Sequence, residues 1–206
     1  RRAQEPKPVP EAPKPNPQPA DTELLRRHLE GDETAFAALV GRYRKELFNF
    51  LARFTGDAAL AEDVFQETFL QVHLSAGAFD MDRRLKPWLF TIAANKARDA
   101  LRGRSRRQAA PLDAQVSDDQ RGSYADLVPS EIPSPEHFLA NLETRQAVQN
   151  VVMEMPENLR IVLLLSYFHD ISYQEIAEML NVPLGTVKSR LHAAVRTFAE
   201  RWKTVA

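Results

Sequence analysis

Residues 172–190 read SYQEIAEMLNVPLGTVKSR, and this stretch decides how the C-terminal part of the 206-residue chain folds. Ser172 and Glu175 have the spacing of a capping box, in which a hydroxyl and a carboxylate bind the free amides at a helix start. Asn181 tolerates the left-handed conformation that ends a helix, and Pro183 favours the start of the next one. The stretch therefore predicts two helices joined by a tight turn.

The second of these helices carries a polar and basic face over its first two turns. Its apolar side chains recur at helical spacing from Val187 to Phe198, so the other face is free for a ligand. A recognition helix enters the major groove by its N-terminal end, where cations pair with guanine edges and hydroxyls contact phosphates. An ordinary amphipathic hairpin with a solvated basic face is the competing interpretation. Cap, turn, apolar spacing and basic face coincide, which favours a helix-turn-helix that binds duplex DNA.

Charge is segregated along the chain, although the net charge is only −1. Residues 96–107 hold six basic residues and one acidic residue, and residues 188–203 hold five basic residues and one acidic residue. Between them, residues 113–143 hold seven acidic residues and a single arginine, Arg121. Because clustered cations attract phosphate groups, the two basic segments are the expected nucleic-acid contacts.

The composition and motifs exclude several classes of function. The chain contains no cysteine, which excludes disulfides and thiolate metal sites, and the apolar run at 161–165 is too short to span a membrane. No nucleophile–base set or phosphate-binding loop is recognisable, and the histidines show no metal-ligand spacing. We therefore expect a cytoplasmic protein without enzymatic activity, cofactor or metal; the histidines are His28, His73, His137, His169 and His192.

Helical periodicity dominates two parts of the chain, so the expected fold is all-α, with two small helical domains. Residues 21–107 and 136–206 carry apolar side chains at helical spacing. Residues 1–20 include seven prolines and are expected to form a disordered tail; a docking site for a proline-binding partner is the alternative. Residues 108–135 have no sustained period and are expected to form a flexible, acidic linker.

Two helices of the first domain carry polar faces, and the sequence pattern alone does not decide whether these faces bind a partner or are simply solvated. The helix over 58–74 has an apolar stripe and, opposite it, Asp63, Gln66 and Glu67, which is typical of simple solvation. The next helix joins Trp88 to a run of arginines. An aromatic ring followed by cations suits single-stranded or melted nucleic acid, through stacking and phosphate contacts. A core tryptophan with a solvated basic tail is an equally good interpretation.

Three motifs occur in a fixed order: DVFQETF at 63–69, WLFTIAAN at 88–95 and GTVKSRL at 185–191. Together they resemble the bacterial extracytoplasmic-function (ECF) sigma factors, group 4 of the sigma-70 family. The resemblance covers about residues 21–107 and 136–203, nearly everything outside the expected tail and linker. It implies sigma region 2 for the first domain and sigma region 4 for the second.

The resemblance implies a dissociable RNA polymerase subunit that directs the core enzyme to promoters and assists DNA melting. In this family a polar face of region 2 binds the clamp helices of the largest polymerase subunit; the matching residues are Asp63, Gln66 and Glu67. A second helix captures the unstacked non-template strand of the −10 element; the matching residues are Trp88, Asn95, Lys96, Arg98 and Arg102. The helix-turn-helix reads the −35 element; the matching residues are Thr186, Lys188, Ser189 and Arg190.

Two departures from the family pattern limit what the resemblance implies about the DNA sequence. Residues 80–84 read DMDRR where an Arg-Gly-type sequence usually shapes the base pocket, and Ala193 stands where some members place a DNA-contacting arginine. The family also implies an anti-sigma factor as a regulatory partner. The alternative function is a helix-turn-helix regulator that is not a polymerase subunit, but residues 21–107 lack the strand-like alternation of a sensory α/β module.

Overall fold

The computed structural model of the chain describes residues 20–109, 135–169 and 171–205, and every regular element in these ranges is helical. The all-α prediction is therefore confirmed. The N-terminal helices are α1 (Asp21–Leu29), α2 (Glu33–Thr55), α3 (Ala58–Ser75) and α4 (Leu85–Ala109), with a short 3-10 turn (Ala76–Ala78) after α3. The C-terminal helices are α5 (Pro135–Met153), α6 (Glu157–Phe168), α7 (Tyr173–Leu180) and α8 (Leu184–Val205).

Residues with a short side chain, or with none, occupy the cap positions of the N-terminal helices. Oδ1 of Asp32 accepts a hydrogen bond from the amide of Thr34 at 2.9 Å, which satisfies a free donor at the start of α2. Gly56 ends α2 with φ 74°, a conformation that costs glycine little. Asp57 then caps α3 by accepting from the amide of Leu60 at 3.0 Å. Local capping chemistry therefore fixes where α2 stops and α3 starts.

The predicted capping box of α7 is confirmed. Oγ of Ser172 accepts from the amide of Glu175 at 3.2 Å, and Oε2 of Glu175 accepts from the amide of Ser172 at 2.8 Å. Asn181 ends α7 in the left-handed conformation, with φ 51° and ψ 51°. The carbonyl of Pro183 accepts from the amide of Thr186 at 2.9 Å in the first turn of α8. Together, α7, the turn and α8 form the predicted helix-turn-helix.

Two helices are longer than the sequence predicts. The sequence pattern predicts that the helix carrying Trp88 and the arginines runs from Pro87 to about residue 104. In the structure this helix, α4, begins two residues earlier and ends five residues later. Pro87 remains in the first turn, where its missing N–H costs no hydrogen bond. α8 continues past its predicted end at about Phe198, and an ion pair between Arg201 and Glu154 joins this extension to the turn that follows α5. Tertiary packing therefore decides where α8 ends.

The expected linker and tail fall mostly beyond the described residues. Residues 108–109 belong to α4 and residue 135 belongs to α5, so the two ends of the predicted linker are helical. The rest of that linker, 110–134, and residues 1–19 of the predicted tail lie outside the described residues.

Each half of the chain builds its core from the apolar stripes that the sequence predicts. In the N-terminal half, α2, α3 and α4 pack together, and the largest buried side chains include Phe50, Phe54 and Phe90. In the C-terminal half, α6 and α7 pack on α8, with Leu164 and Val187 fully enclosed. Packing of this kind supplies most of the stability of helices in small proteins. None of the described helices is both long enough and apolar enough to cross a membrane.

The two halves also pack against each other, which the prediction of two linked domains did not include. α5 and α6 lie against α2, and α7 lies against α4. The buried side chains of both halves form one continuous core. As a consequence, the helix-turn-helix and the basic helix α4 lie side by side in this structure.

Candidate functional site

α3 presents an exposed polar face opposite its buried stripe. Asp63, Gln66 and Glu67 are all exposed, and their i, i+3 and i+4 spacing places them next to one another. Because the opposite stripe is buried, this face points away from the protein. It can accept hydrogen bonds from a basic partner surface. The buried stripe consists of Ala61, Val64, Phe65, Thr68, Phe69 and Val72.

Glu67 also contacts the neighbouring helix. Its Oε2 lies 3.6 Å from Nζ of Lys96, which joins the α3 face to one of the α4 residues that the resemblance assigns to DNA. Both side chains remain partly exposed, and ion pairs of this kind contribute about 0–1 kcal/mol. The pair is therefore weak enough to separate when either group meets a stronger partner.

The first half of α4 places an aromatic ring and an amide on one side of the helix. Trp88 is half-buried, and its ring packs on Phe79 with 4.7 Å between the centroids. Asn95 lies two turns later on the same side and is exposed. Aromatic rings stack with unpaired bases, and amides hydrogen-bond to their edges. The Trp88 ring and the Asn95 amide can therefore bind an unstacked base of a single strand.

Two arginines further along α4 differ in how firmly they are held. Nε of Arg98 lies 3.2 Å from Oε1 of Glu157, and the Arg98 side chain is only 19% exposed. Nη1 of Arg102 lies 3.8 Å from Asp99 on the same helix, and its side chain is 65% exposed. Arg102 is therefore accessible to a phosphate group, whereas Arg98 is engaged by the C-terminal half of the chain.

The first turns of α8 carry the predicted DNA contacts at the surface. Val187 is buried, whereas Lys188 and Ser189 are exposed and Thr186 and Arg190 are partly exposed. Oγ of Ser189 donates to the carbonyl of Thr186 at 3.1 Å, so its oxygen remains available as an acceptor. The N-terminal end of a helix also attracts anions. A duplex that approaches this end of α8 meets cations and hydroxyls.

A cleft of about 380 Å³ opens beside the loop that departs from the family pattern. Residues 81–86, three of which are basic, line one side, and Asp21 and Tyr43 line the other. Burial, followed by a hydrogen bond that the Tyr43 hydroxyl donates to Asp21 at 2.5 Å, raises the pKa of Tyr43 far above its ordinary value. Sequence reasoning missed this cleft, because Asp21 and Tyr43 are distant from the loop along the chain.

Two histidines that looked unrelated in the sequence lie together in space. Nε2 of His28 is 3.0 Å from Nδ1 of His73, and the His28 ring stacks on Phe36 with 4.4 Å between the centroids. Partial burial, and then the neighbouring His73, lower the pKa of His28. Within the described ranges, no group of three or more histidine, cysteine, aspartate or glutamate side chains could hold a metal ion. α1 packs on α2 and on the 3-10 turn that follows α3, and this packing brings the two rings together.

Comparisons with known proteins identify both halves. The family model described as Sigma-70 region 2 matches residues 39–107, and the model described as Sigma-70, region 4 matches residues 145–198. The chain is 32% identical to the ECF RNA polymerase sigma factor SigW of Bacillus subtilis over 168 residues, which cover 82% of this chain and 89% of that protein. It is 35% identical to the RNA polymerase sigma-H factor of Pseudomonas aeruginosa over 178 residues, which cover 86% and 91%.

A solved structure has the same fold. The structure of CnrH in complex with the cytosolic domain of CnrY aligns with a TM-score of 0.64 at 22% identity, covering 91% of this chain and 100% of that chain. An identity this low supports the helical fold alone. The family instead follows from the two region matches and from relatives at 32% and 35% identity along most of the chain. The chain therefore belongs to the extracytoplasmic-function sigma factors of the sigma-70 family, the subunits that direct RNA polymerase to promoters.

Proposed function

We propose that this sigma factor uses three surfaces: the polar face of α3 to bind core polymerase, and the exposed side of α4 and the first turns of α8 to recognise the promoter. The observation that carries the proposal is that the assigned contact residues on α3 and α8 are exposed or partly exposed, on helices whose opposite stripes are buried. Region 2 then corresponds to residues 21–107 and region 4 to residues 136–206. These limits extend slightly beyond the two matched ranges, 39–107 and 145–198.

The α3 face is our proposed contact with core polymerase. Asp63 and Glu67 supply carboxylates and Gln66 supplies an amide, all exposed and all within one helical turn. A basic surface on the clamp helices of the largest subunit would pair with these groups through charge-assisted hydrogen bonds. Such bonds are stronger than neutral ones, and each contributes about 1.5–3 kcal/mol.

The exposed side of α4 is our proposed contact with the melted −10 element. Opening a duplex costs a few kcal/mol for each unstacked base, and a site for the extruded base recovers part of that cost. Trp88 and Asn95 would contact the base through stacking and hydrogen bonding. Cations further along the helix would hold the strand by its phosphates; these are Lys96, Arg98 and Arg102.

The first turns of α8 are our proposed contact with the −35 element. Lys188 and Arg190 can pair with guanine edges, while Thr186 and Ser189 reach phosphates or bases. Discrimination by one well-formed base contact is worth about 1–3 kcal/mol. Affinity at this element need only be modest, because core polymerase and the −10 contact contribute the rest.

The family matches do not favour the competing function, a regulator that is not a polymerase subunit. A sensory module would have to lie in the N-terminal half, where the Sigma-70 region 2 model matches residues 39–107. We further infer that the protein acts in the bacterial cytoplasm together with core polymerase and catalyses no reaction of its own. The family resemblance implies an anti-sigma factor as its regulator.

Reconstitution tests the proposed function directly. The full-length chain is mixed with bacterial core polymerase and a library of genomic DNA fragments, and the run-off transcripts are sequenced. We expect copurification with core and transcripts that start at a small set of sites sharing two upstream elements. Tight binding to duplex DNA without core, together with failure to bind core, would instead restore the regulator interpretation.

A further inference from the structure

Two histidines meet where helices α1 and α3 end. His28 lies in the last turn of α1, and His73 lies in the last turn of α3. Nε2 of His28 is 3.0 Å from Nδ1 of His73. The His28 side chain is half-buried and the His73 side chain is exposed, so solvent reaches the pair. One nitrogen of each ring therefore faces the other at the surface of the protein.

The distance between the facing nitrogens is that of two ligands of one metal ion. Imidazole nitrogens bind zinc at about 2.0–2.1 Å, so two of them at an angle of about 90–109° around one ion lie about 2.9–3.4 Å apart. The observed separation of 3.0 Å falls within this range. The ring centroids are 5.0 Å apart and the ring planes are tilted by 46°, so the rings are not stacked face to face. A small rotation of each ring would aim both facing nitrogens at one ion.

Phe36 on α2 holds both histidine rings in place. Its ring stacks on His28 with 4.4 Å between the centroids and stands edge-on to His73 with 5.6 Å between the centroids. Phe36 is in turn edge-on to the buried ring of Phe69, with 6.2 Å between the centroids. The histidine pair thus rests on a ring that is anchored in the core. Ligands held in this way lose little conformational freedom when an ion binds.

The local electrostatics favour a cation at the histidine pair. The last turn of a helix carries partial negative charge on its free carbonyls, and both histidines lie in such a turn. Two arginines beside the pair on α1 are neutralised by carboxylates. Arg26 pairs with Glu23. Arg27 pairs with Asp32. Positive charge on α1 therefore opposes a bound ion only weakly.

An ion would replace the hydrogen bond that now joins the two rings. In that bond one facing nitrogen donates a proton and the other accepts it, whereas a metal ion needs a lone pair from both. The donor ring supplies the second lone pair by changing tautomer, since its proton can move through solvent to the outward ring nitrogen. Two nitrogen–metal bonds form and two water ligands leave the ion. The protein releases no net proton, and no electron is transferred.

From this geometry we infer that His28 and His73 form a surface site for one divalent late transition-metal ion, such as Ni²⁺, Cu²⁺ or Zn²⁺. Imidazole is a preferred ligand of these ions, whereas Mg²⁺ and Ca²⁺ prefer oxygen ligands. Water completes the coordination shell, because no third histidine, aspartate or glutamate joins the pair in the part of the chain that the structure describes.

A bound ion would join α1 to α3 through ligands that lie 45 positions apart in the chain. An ion that binds the folded chain and not the unfolded one stabilises the fold. Neither histidine belongs to the three surfaces proposed above for polymerase and promoter, so the inference goes beyond the proposed function and does not depend on it. The site therefore makes the stability of the N-terminal half dependent on a transition-metal ion.

Electron paramagnetic resonance of Cu²⁺ bound to the full chain counts the ligands. With Cu²⁺ below one equivalent, we expect pulsed spectra of the wild type to show two coordinated imidazoles. His73→Gln should show one imidazole and bind Cu²⁺ at least about tenfold more weakly, since even the loss of a group behind a ligand costs about 10–100-fold in metal affinity. A single imidazole in the wild-type spectrum would overturn the inference, whether or not the variant folds.

His192→Gln is the matched control, because it removes an exposed histidine on α8, far from the pair along the chain. We expect this variant to keep the spectrum with two imidazoles and the wild-type affinity for Cu²⁺. Equal losses of affinity in His73→Gln and His192→Gln would overturn the inference, since surface histidines in general would then bind the ion.

Thermal unfolding with Zn²⁺ tests whether the ion stabilises the fold. At a free concentration one hundred times its Kd, we expect Zn²⁺ to raise the Tm of the wild type and of His192→Gln by at least about 4 °C. His28→Gln, whose Tm without metal shows that it folds, should shift by less than about 1 °C, and Mg²⁺ should shift none of the three. A Zn²⁺ shift in His28→Gln equal to that of the wild type would overturn the inference. The measurement involves neither polymerase nor DNA, so its outcome is independent of the proposed function.

Discussion

The polar face of α3 and the basic side of α4 belong to the same small bundle, yet the free protein presents them differently. Asp63, Gln66 and Glu67 are exposed, and the weak pair of Glu67 with Lys96 is their main tie to the rest of the surface. On α4, by contrast, Arg98 is largely buried against Glu157 of region 4. The surface proposed for polymerase is thus open, and the surface proposed for promoter DNA is partly covered.

The difference suggests an order of events. A protein that meets polymerase before DNA needs its polymerase contact accessible at all times. A covered DNA surface lowers binding to DNA, because the ion pair between Arg98 and Glu157 must first be broken before Arg98 can contact a phosphate.

Charge reversal on the α3 face should have the largest effect. We expect Asp63→Lys combined with Glu67→Lys to weaken core binding by at least about a hundredfold, because two charge-assisted hydrogen bonds become repulsions. Binding of −35 duplex by the C-terminal half should remain unchanged. The measurement is fluorescence anisotropy of the labelled chain titrated with core polymerase.

A control variant with the same change in net charge shows whether the position of the carboxylates, rather than the net charge, determines core binding. Glu30→Lys with Glu200→Lys reverses two exposed carboxylates that lie away from the α3 face. Core affinity within a factor of about three of wild type is expected for the control, as for surface changes outside an interface. Similar losses in the two double variants would show that net charge, rather than the α3 face, determines core binding.

Substitution of Arg102 or Arg98 on α4 should weaken DNA binding by an intermediate amount, and the two substitutions should differ in size. We expect Arg102→Ala to weaken binding of a −10 single strand and to reduce the slope of log affinity against log salt by about 0.7, the value for one phosphate contact. In the free chain, Arg98→Ala should have a smaller net effect, since the Arg98 guanidinium is already paired with Glu157. Anisotropy at several salt concentrations measures both, and identical slopes for wild type and Arg102→Ala would contradict the prediction.

The smallest effect should come from the cap of α7. Ser172→Ala removes the hydroxyl that accepts from the amide of Glu175, and such losses cost about 1 kcal/mol in the free energy of unfolding. Ser166→Ala removes a hydroxyl within α6 and should change that free energy by less than about 0.5 kcal/mol. Urea unfolding followed by circular dichroism compares the two, and equal values would show that the capping box contributes nothing measurable.

The sequence predicts most of the helices, because their signals are local. The capping box at Ser172, the left-handed Asn181 and the buried stripe of α3 all appear as predicted, since each depends on residues within one or two turns. The exposed positions of Asn95 and Lys188 likewise follow from helical spacing. Local chemistry therefore locates the site's helices and their exposed faces.

The junction between the halves could not be predicted in this way. Arg160 satisfies the carbonyl of Phe54 across 106 positions of the chain, and Glu46 and His169 are 123 positions apart. Each of these residues has an ordinary sequence context, in which an arginine or histidine on a helix is normally solvated. Only the packed structure brings them together, and only there does Arg98 gain a partner other than DNA.

Hydrogen–deuterium exchange of the full chain, with and without core polymerase, tests the contrast between the two surfaces most directly. We expect the backbone amides of α3 to exchange more slowly when core is bound, because polymerase covers that face. If core binding breaks the hydrogen bond from Arg160 to the carbonyl of Phe54, amides at the end of α2 and the start of α6 should exchange faster. Unchanged exchange in α3 would contradict the proposed core contact, and unchanged exchange at the end of α2 would show that the contacts between the two halves persist when core is bound.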